Sequence, residues 1–320
     1  MTSITFKEIL DSVYDRVDDL DIIIPSLSEI QSKLPFDSVY SCVSVGCGYG
    51  RLDLIFMEHF MRNVSEFIAV EPDPVCAAEL RMKLPEKLPN IKSIVCEEMV
   101  QSWPGVNQPV DAVLLIHFLY YLNPAERLAL CRRLHDNVVH RGGFVFVLIH
   151  PHHTSGEPSA YCRVIQQLKS SERCDEFVTD REVRDTMLST GFELCFEQMY
   201  TSHMNVEEPD DALLSLFLRP DGRWDLDSVR HAAREVFGHS KRVRHDSWLG
   251  IFRKPWSKWC EKESLVYYWW WHLLYLFIFT NHLIISDLLK LTTLACILHS
   301  QSIHQSFICI RLVVQTIVNR

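Results

Sequence analysis

Apolar residues in the first 253 positions alternate between short continuous runs and longer stripes at helical spacing. Residues 6–34 predict one or two amphipathic helices. Residues 39–45 predict a strand, 50–62 a helix, 66–70 a second strand, and 74–84 a helix stopped by Pro85. Ile91 to Cys96 and Val110 to Ile116 read as the third and fourth strands. Pro124 stands where a first helical turn favours proline, and that helix is expected to reach about Asn137. Gly142 and Gly143 turn the chain into Phe144 to Ile149, whose unbroken apolarity marks a strand buried on both faces. A weaker second half offers a helix over 180–190, a strand from Phe192 to Met199, and a last strand from Trp248 to Phe252. Such alternation predicts an α/β protein with a mostly parallel sheet and helices on both faces.

The pattern breaks after residue 253. From Leu265 to Ile285 there is no Lys, Arg, Asp or Glu, and the run contains Tyr267, Tyr268 and three consecutive tryptophans, Trp269 to Trp271. That length and aromatic content suit a bilayer-spanning helix. Lys254, Lys258 and Lys262 precede it and would leave the body in the cytoplasm. An aberrant C-terminal end is the competing expectation. On either view residues 254–320 form an apolar tail outside the fold, and residues 1–253 form one domain.

Composition narrows the partners. The 320 residues carry a net charge of -9, so nucleic acid is not expected to bind. The tail holds six basic and three acidic residues, a net of +3, which leaves -12 on residues 1–253. An acidic body steers small cations weakly toward itself. Eleven cysteines, an odd number without a Cys-x-x-Cys, read as reduced thiols of a cytoplasmic protein, and no metal-ligand spacing stands out. The chain is expected to be a monomer.

Candidate chemistry gathers behind the first strand. Val43-Ser44-Val45 runs into Gly46-Cys47-Gly48-Tyr49-Gly50, and Glu71 ends the next strand. Glycines let a backbone pass close to a ligand, and a carboxylate at the second strand's end takes ribose hydroxyls. A dinucleotide fingerprint would put its third glycine at position 51, where Arg51 stands. The spacing Gly-x-Gly-x-Gly points instead to S-adenosylmethionine, with Gly46, Gly48, Gly50, Glu71 and Ile116 as cofactor residues. His117, Tyr120 and Tyr121 follow the fourth strand at the edge where open α/β sheets bind ligands. His117 is expected to face the substrate, and the two tyrosines to wall a cationic amine by cation–π attraction.

These blocks resemble histamine N-methyltransferase and its close relatives. The likeness rests on Val43 to Leu54, including Asp53-Leu54, on Val70-Glu71-Pro72, and on Leu119-Tyr120-Tyr121. It covers roughly residues 37–253. The resemblance implies a Rossmann-like class I methyltransferase fold with a seven-stranded sheet, and an N-terminal helical region (residues 1–36) on the substrate side. It implies in-line transfer of a methyl group from S-adenosylmethionine to a small amine or imidazole compound. By the same resemblance Gly46, Glu71 and Ile116 hold the cofactor. His117 stands where the family has a substrate-binding glutamine, and Asp246 where it has a substrate-binding asparagine. Cys76 replaces a cofactor-binding glutamine, and Tyr161 falls near a tryptophan of the substrate wall. An N-terminal acid that grips the substrate ammonium would be Asp15, Asp18 or Asp19. No catalytic base is assigned and no metal is expected. The rival expectations are a non-catalytic binding protein of the same fold, a nicotinamide-dependent oxidoreductase, and a membrane-tethered adaptor.

Overall fold

The computed structural model describes residues 4–151, 160–169, 178–207, 209–215, 225–238 and 240–256. The apolar tail and its expected span lie outside the described residues, as does the side chain of Tyr161. Among the described residues no helix is long and apolar enough to cross a membrane.

Two helices open the chain, α1 (Phe6–Tyr14) and α2 (Asp19–Ile30). Thr5 and Glu8 cap α1 reciprocally, each side chain bonding the other's backbone N–H. The first sheet strands and helices follow in strict alternation: β1 (Ser41–Val45), α3 (Arg51–Phe60), β2 (Glu66–Val70), α4 (Pro74–Lys87) and β3 (Lys92–Cys96). Next come β4 (Val110–Ile116), α5 (Pro124–Arg133) and β5 (Val139–Ile149). The remainder comprises α6 (Ala160–Lys169), α7 (Asp180–Ser189), β6 (Glu193–Tyr200), β7 (His203–Asn205), α8 (Asp211–Ser215), α9 (Leu226–Phe237), β8 (Arg242–Arg244) and β9 (Ser247–Arg253).

One sheet of seven strands runs in the order β3-β2-β1-β4-β5-β9-β6. Strands β1 to β5 pair in parallel, and β9 lies antiparallel between β5 and β6. Each parallel step is spanned by a helix or long crossover, as parallel pairing requires. The order reverses at β1 and β4, so their carboxyl ends open a crevice there. Apolar side chains leave the sheet on both faces. Cys42, Leu114, Phe146 and Ile251 pack with α2 and α3, whereas Val43, Val113, Val145 and Phe252 pack with α5 and α7. A third cluster joins Val13 of α1 to Leu213, Val229, Phe237 and Val243.

Two boundaries differ from the sequence expectation. Helix α4 passes through Pro85 and ends at Lys87. A proline costs most in a helix interior, and here it removes one bond in the last turn. Strand β5 starts at Val139, before the glycine pair, and its register against β4 shifts between Val110 and Ala112. Gly142 and Gly143 therefore form a bulge inside a longer strand rather than a turn before it. The bulge is pinned by Lys254, whose N–H donates to the Gly143 carbonyl while Gly142 N–H donates to its own. The helix after Pro124 becomes a π-turn over Leu134–Val138, so it reaches its expected end near Asn137.

Candidate active site

The loop from β1 to α3 is built by its own backbone. Gly46, Gly48 and Gly50 have φ of 67°, 56° and 78°, the left-handed region that glycine enters without steric cost. Gly50 serves as the left-handed N-cap of α3. A Cβ on Gly46 would lie 2.0 Å from the ring of Phe118. The glycines were expected to admit a ligand; in the structure they first admit protein. Phe118 rests on Gly46, and Leu10 of α1 reaches to 2.9 Å of a Cβ placed on Gly48.

Glu71 closes β2 and is 3% exposed. Gly48 N–H donates to its Oε2 at 2.7 Å and Asp73 N–H to its Oε1 at 2.9 Å. The carboxylate thus ties the glycine loop to the end of β2, and each oxygen keeps a second lone pair. Burial raises the carboxyl pKa, and the two N–H donors oppose that rise. Beneath the loop lies Asp53, 2% exposed, which accepts from Ser44 Oγ at 2.5 Å. Ile116 ends β4, buried within the core facing α2 and α3.

Beside the loop is a cavity of about 500 Å³. Its walls include Tyr14, Asp19, His117, Tyr120, Tyr121 and His150. A volume of this order suits a small ligand. His117 has φ of 51°, the one described non-glycine residue with positive φ. Strain of that kind persists where neighbours over-determine it, and here His117 N–H donates to the Leu148 carbonyl at 2.8 Å. Its ring stacks on His150 with centroids 4.2 Å apart, and Nδ1 lies 3.2 Å from the Tyr120 hydroxyl. Burial, with His150 adjacent, holds its pKa well below the usual histidine value. Tyr120 also accepts from the His150 backbone N–H. Tyr121 is 54% exposed and meets Phe6 of α1 edge-on at 5.9 Å.

Of the N-terminal acids, Asp19 is the one drawn into this cluster. Its Oδ2 lies 3.2 Å from His150 Nε2 and 3.8 Å from His117 Nε2. Asp15 lines the same cavity but bonds Arg51 at 2.9 Å. Asp18 is turned to the His203 N–H and Arg242. Asp246 departs from its expected place. Arg244 grips its carboxylate at 2.8 and 2.6 Å, and the cavity wall does not include it. Asp246 reaches the cluster through its carbonyl, 3.2 Å from His150 Nδ1. His150 and His245, 3.7 Å apart by ring centroid, escaped the sequence reading. His150 directly follows β5, and its place at a strand's carboxyl end was the available signal.

The sequence matches no protein-family model and no curated protein. Solved structures do match. A candidate methyltransferase of Bacillus halodurans C-125 superimposes over 73% of this chain and 99% of its own, with 12% identity and a TM-score of 0.52. The YcgJ protein of Bacillus subtilis does so over 73% of this chain and 99% of its own, with 13% identity and a TM-score of 0.52. The fold is the Rossmann-like fold of class I methyltransferases. The methyltransferase fold accounts for the sheet order, for the single antiparallel insertion of β9, and for a crevice at the ends of β1 and β4.

Proposed function

We propose that the protein is an S-adenosylmethionine-dependent N-methyltransferase acting on a small amine or imidazole compound. One observation carries the reading: Glu71 and Gly48 meet at the carboxyl edge of a methyltransferase-fold sheet, 2.7 Å apart. Gly46, Gly48, Gly50, Glu71 and Ile116 would hold the cofactor. When bound, it supplies an electrophilic methyl group on a sulfonium. Glu71 suits that ligand because each oxygen, already holding one backbone donor, has a lone pair left for a ribose hydroxyl. Leu10 is the side chain that must yield space beside Gly48, on a helix tied to the loop by the Tyr49 hydroxyl, which donates to Asp11 at 2.6 Å.

On the acceptor side, Asp19 offers a buried negative charge and Tyr120 and Tyr121 offer ring faces. A protonated amine on Asp19 would place a neighbouring unprotonated nitrogen in the cavity beside the loop. His117 is held neutral by burial, so it receives or directs a hydrogen bond rather than repelling a cationic acceptor. Alignment and exclusion of water are then the main contributions of the protein, worth up to ~7–11 kcal/mol in favourable cases. The test is a transfer screen with methyl-labelled cofactor and the full chain against biogenic amines and imidazoles. Label transfer to at least one acceptor is expected. Cofactor binding with no transfer to any acceptor would favour a non-catalytic binding protein. We further propose a cytoplasmic monomer whose catalytic unit ends at Trp256, three residues beyond the expected boundary, because Lys254 bonds the β5 bulge.

A further inference from the structure

The structure assigns a second ligand to the acceptor cavity: we propose that Asp19, His117 and His150 form a binding site for a zinc-class divalent metal ion. One ligand atom from each of these residues lies within 4.8 Å of the other two. They come from α2, from the end of β4 and from the end of β5, so no sequence spacing announces them. Two imidazoles and a carboxylate are the donor types that zinc-class ions prefer.

The hydrogen bonds orient both rings for this role. His117 Nδ1 faces the Tyr120 hydroxyl at 3.2 Å, and His150 Nδ1 faces the Asp246 carbonyl at 3.2 Å and Ser247 Oγ at 3.1 Å. Metal-binding histidines are held in this way, with the outer nitrogen bonded to protein and the inner one aimed at the ion. Both Nε2 atoms are turned to Asp19. With the proton on His150 Nδ1, where the Asp246 carbonyl can accept it, Nε2 and Asp19 Oδ2, 3.2 Å apart, can share one cation. The other Asp19 oxygen, Oδ1, is buried without a hydrogen-bond partner.

Two of the three ligand edges come close to zinc dimensions. Ligand atoms around a tetrahedral zinc are about 3.4 Å apart, from bonds of about 2.1 Å. The Asp19 to His150 edge, 3.2 Å, already has that length, and the Asp19 to His117 edge of 3.8 Å needs a shift of a few tenths of an ångström. His150 stacks on His117 with centroids 4.2 Å apart and ring planes 15° from parallel, so one ring must tilt for both Nε2 lone pairs to meet a single ion. Because the ion would take the seat given above to an acceptor's ammonium, metal and cationic acceptor exclude each other. The site itself stands whether or not the chain transfers methyl groups.

The experiment titrates zinc chloride into the full chain by calorimetry, without cofactor or acceptor, and repeats it with Asp19→Asn and His150→Gln. Each variant's fold is checked by circular dichroism. Binding is expected to weaken about 100-fold or more on loss of either ligand. The unaltered chain is also loaded with cobalt(II), which is expected to give visible ligand-field bands without a thiolate charge-transfer band. Three results would each overturn the site: no zinc binding, equal affinity in folded variants, or a cobalt–thiolate band that places the ion on cysteine. If the variants fail to fold, the cobalt spectrum of the unaltered chain decides alone. An imidazolium–carboxylate pair between His150 and Asp19 would appear as the first of these three.

Discussion

Asp53 turns an interior charge into a measurable dependence of stability on pH. It sits under the glycine loop with Ser44 Oγ 2.5 Å away. Burial pushes its carboxyl up from 3.8 to about 7, against the pull of the Ser44 and backbone hydrogen bonds and with a smaller push from Glu71. In the unfolded chain the same group titrates near its ordinary value. Between these two values the folded protein binds the extra proton, so stability falls as pH rises. The contribution is present in full below 3.8 and is lost as pH climbs through about 7. Its size is ~4 kcal/mol, at about 1.4 kcal/mol for each unit of pKa difference. Asp53→Asn keeps an oxygen for Ser44 and removes the titration. Its buried amide hydrogens add a constant penalty, so the informative quantity is the difference in pH dependence and not the stability at one pH. Thermal unfolding from pH 4 to 8 reads this out. Relative to the natural chain, the variant should gain melting temperature as pH rises, by roughly 8–16 °C in total at about 2–4 °C per kcal/mol. Parallel profiles for the two proteins would refute the reasoning, since Asp53 would then titrate alike in both states.

Other positions give further tests. Gly46→Ala meets a positive φ and the Phe118 ring together, so it should cost about 2–4 kcal/mol by denaturant unfolding; adding Phe118→Ala should recover part of that, with a coupling of about 1 kcal/mol or more in the double-mutant cycle. His117→Ala should change which acceptors are methylated while cofactor affinity in calorimetry stays within about threefold, because the ring touches Tyr120 and His150 rather than the glycine loop. Arg127, 3% exposed, bonds the Leu119 and Leu122 carbonyls and pairs with Glu182 at 2.6 Å. Arg127→Met should therefore loosen the turn carrying Tyr120 and Tyr121 and lower stability by about 3–5 kcal/mol, read as a fall in the urea midpoint.

The central parallel strands were legible because they carry apolar runs buried on both faces, as in Ala112 to Ile116. The glycine loop was legible because left-handed backbone demands that residue type at three alternate positions. Strand β5 was cut short in the sequence reading, since a glycine pair signals a turn and a bulge with equal force. The site was legible only where it is local. His117, Tyr120 and Tyr121 follow one strand and line one cavity. Asp19 is brought to them by packing of α2 against the sheet and His150 by the pairing of β5 with β4, which no spacing encodes. Asp246 shows the reverse: a residue near the right place in the chain whose carboxylate is captured by Arg244, two positions earlier.

The most direct test is calorimetric titration of the full chain with S-adenosylmethionine and, separately, with NADH, repeated with Glu71→Gln. Replacing a buried carboxylate that accepts ribose hydroxyls removes charged hydrogen bonds worth about 1.5–3 kcal/mol, a loss of roughly 10- to 150-fold. The account predicts binding of S-adenosylmethionine, that loss in the variant, and no heat with NADH. Binding of NADH, or S-adenosylmethionine affinity indifferent to Glu71, would contradict it.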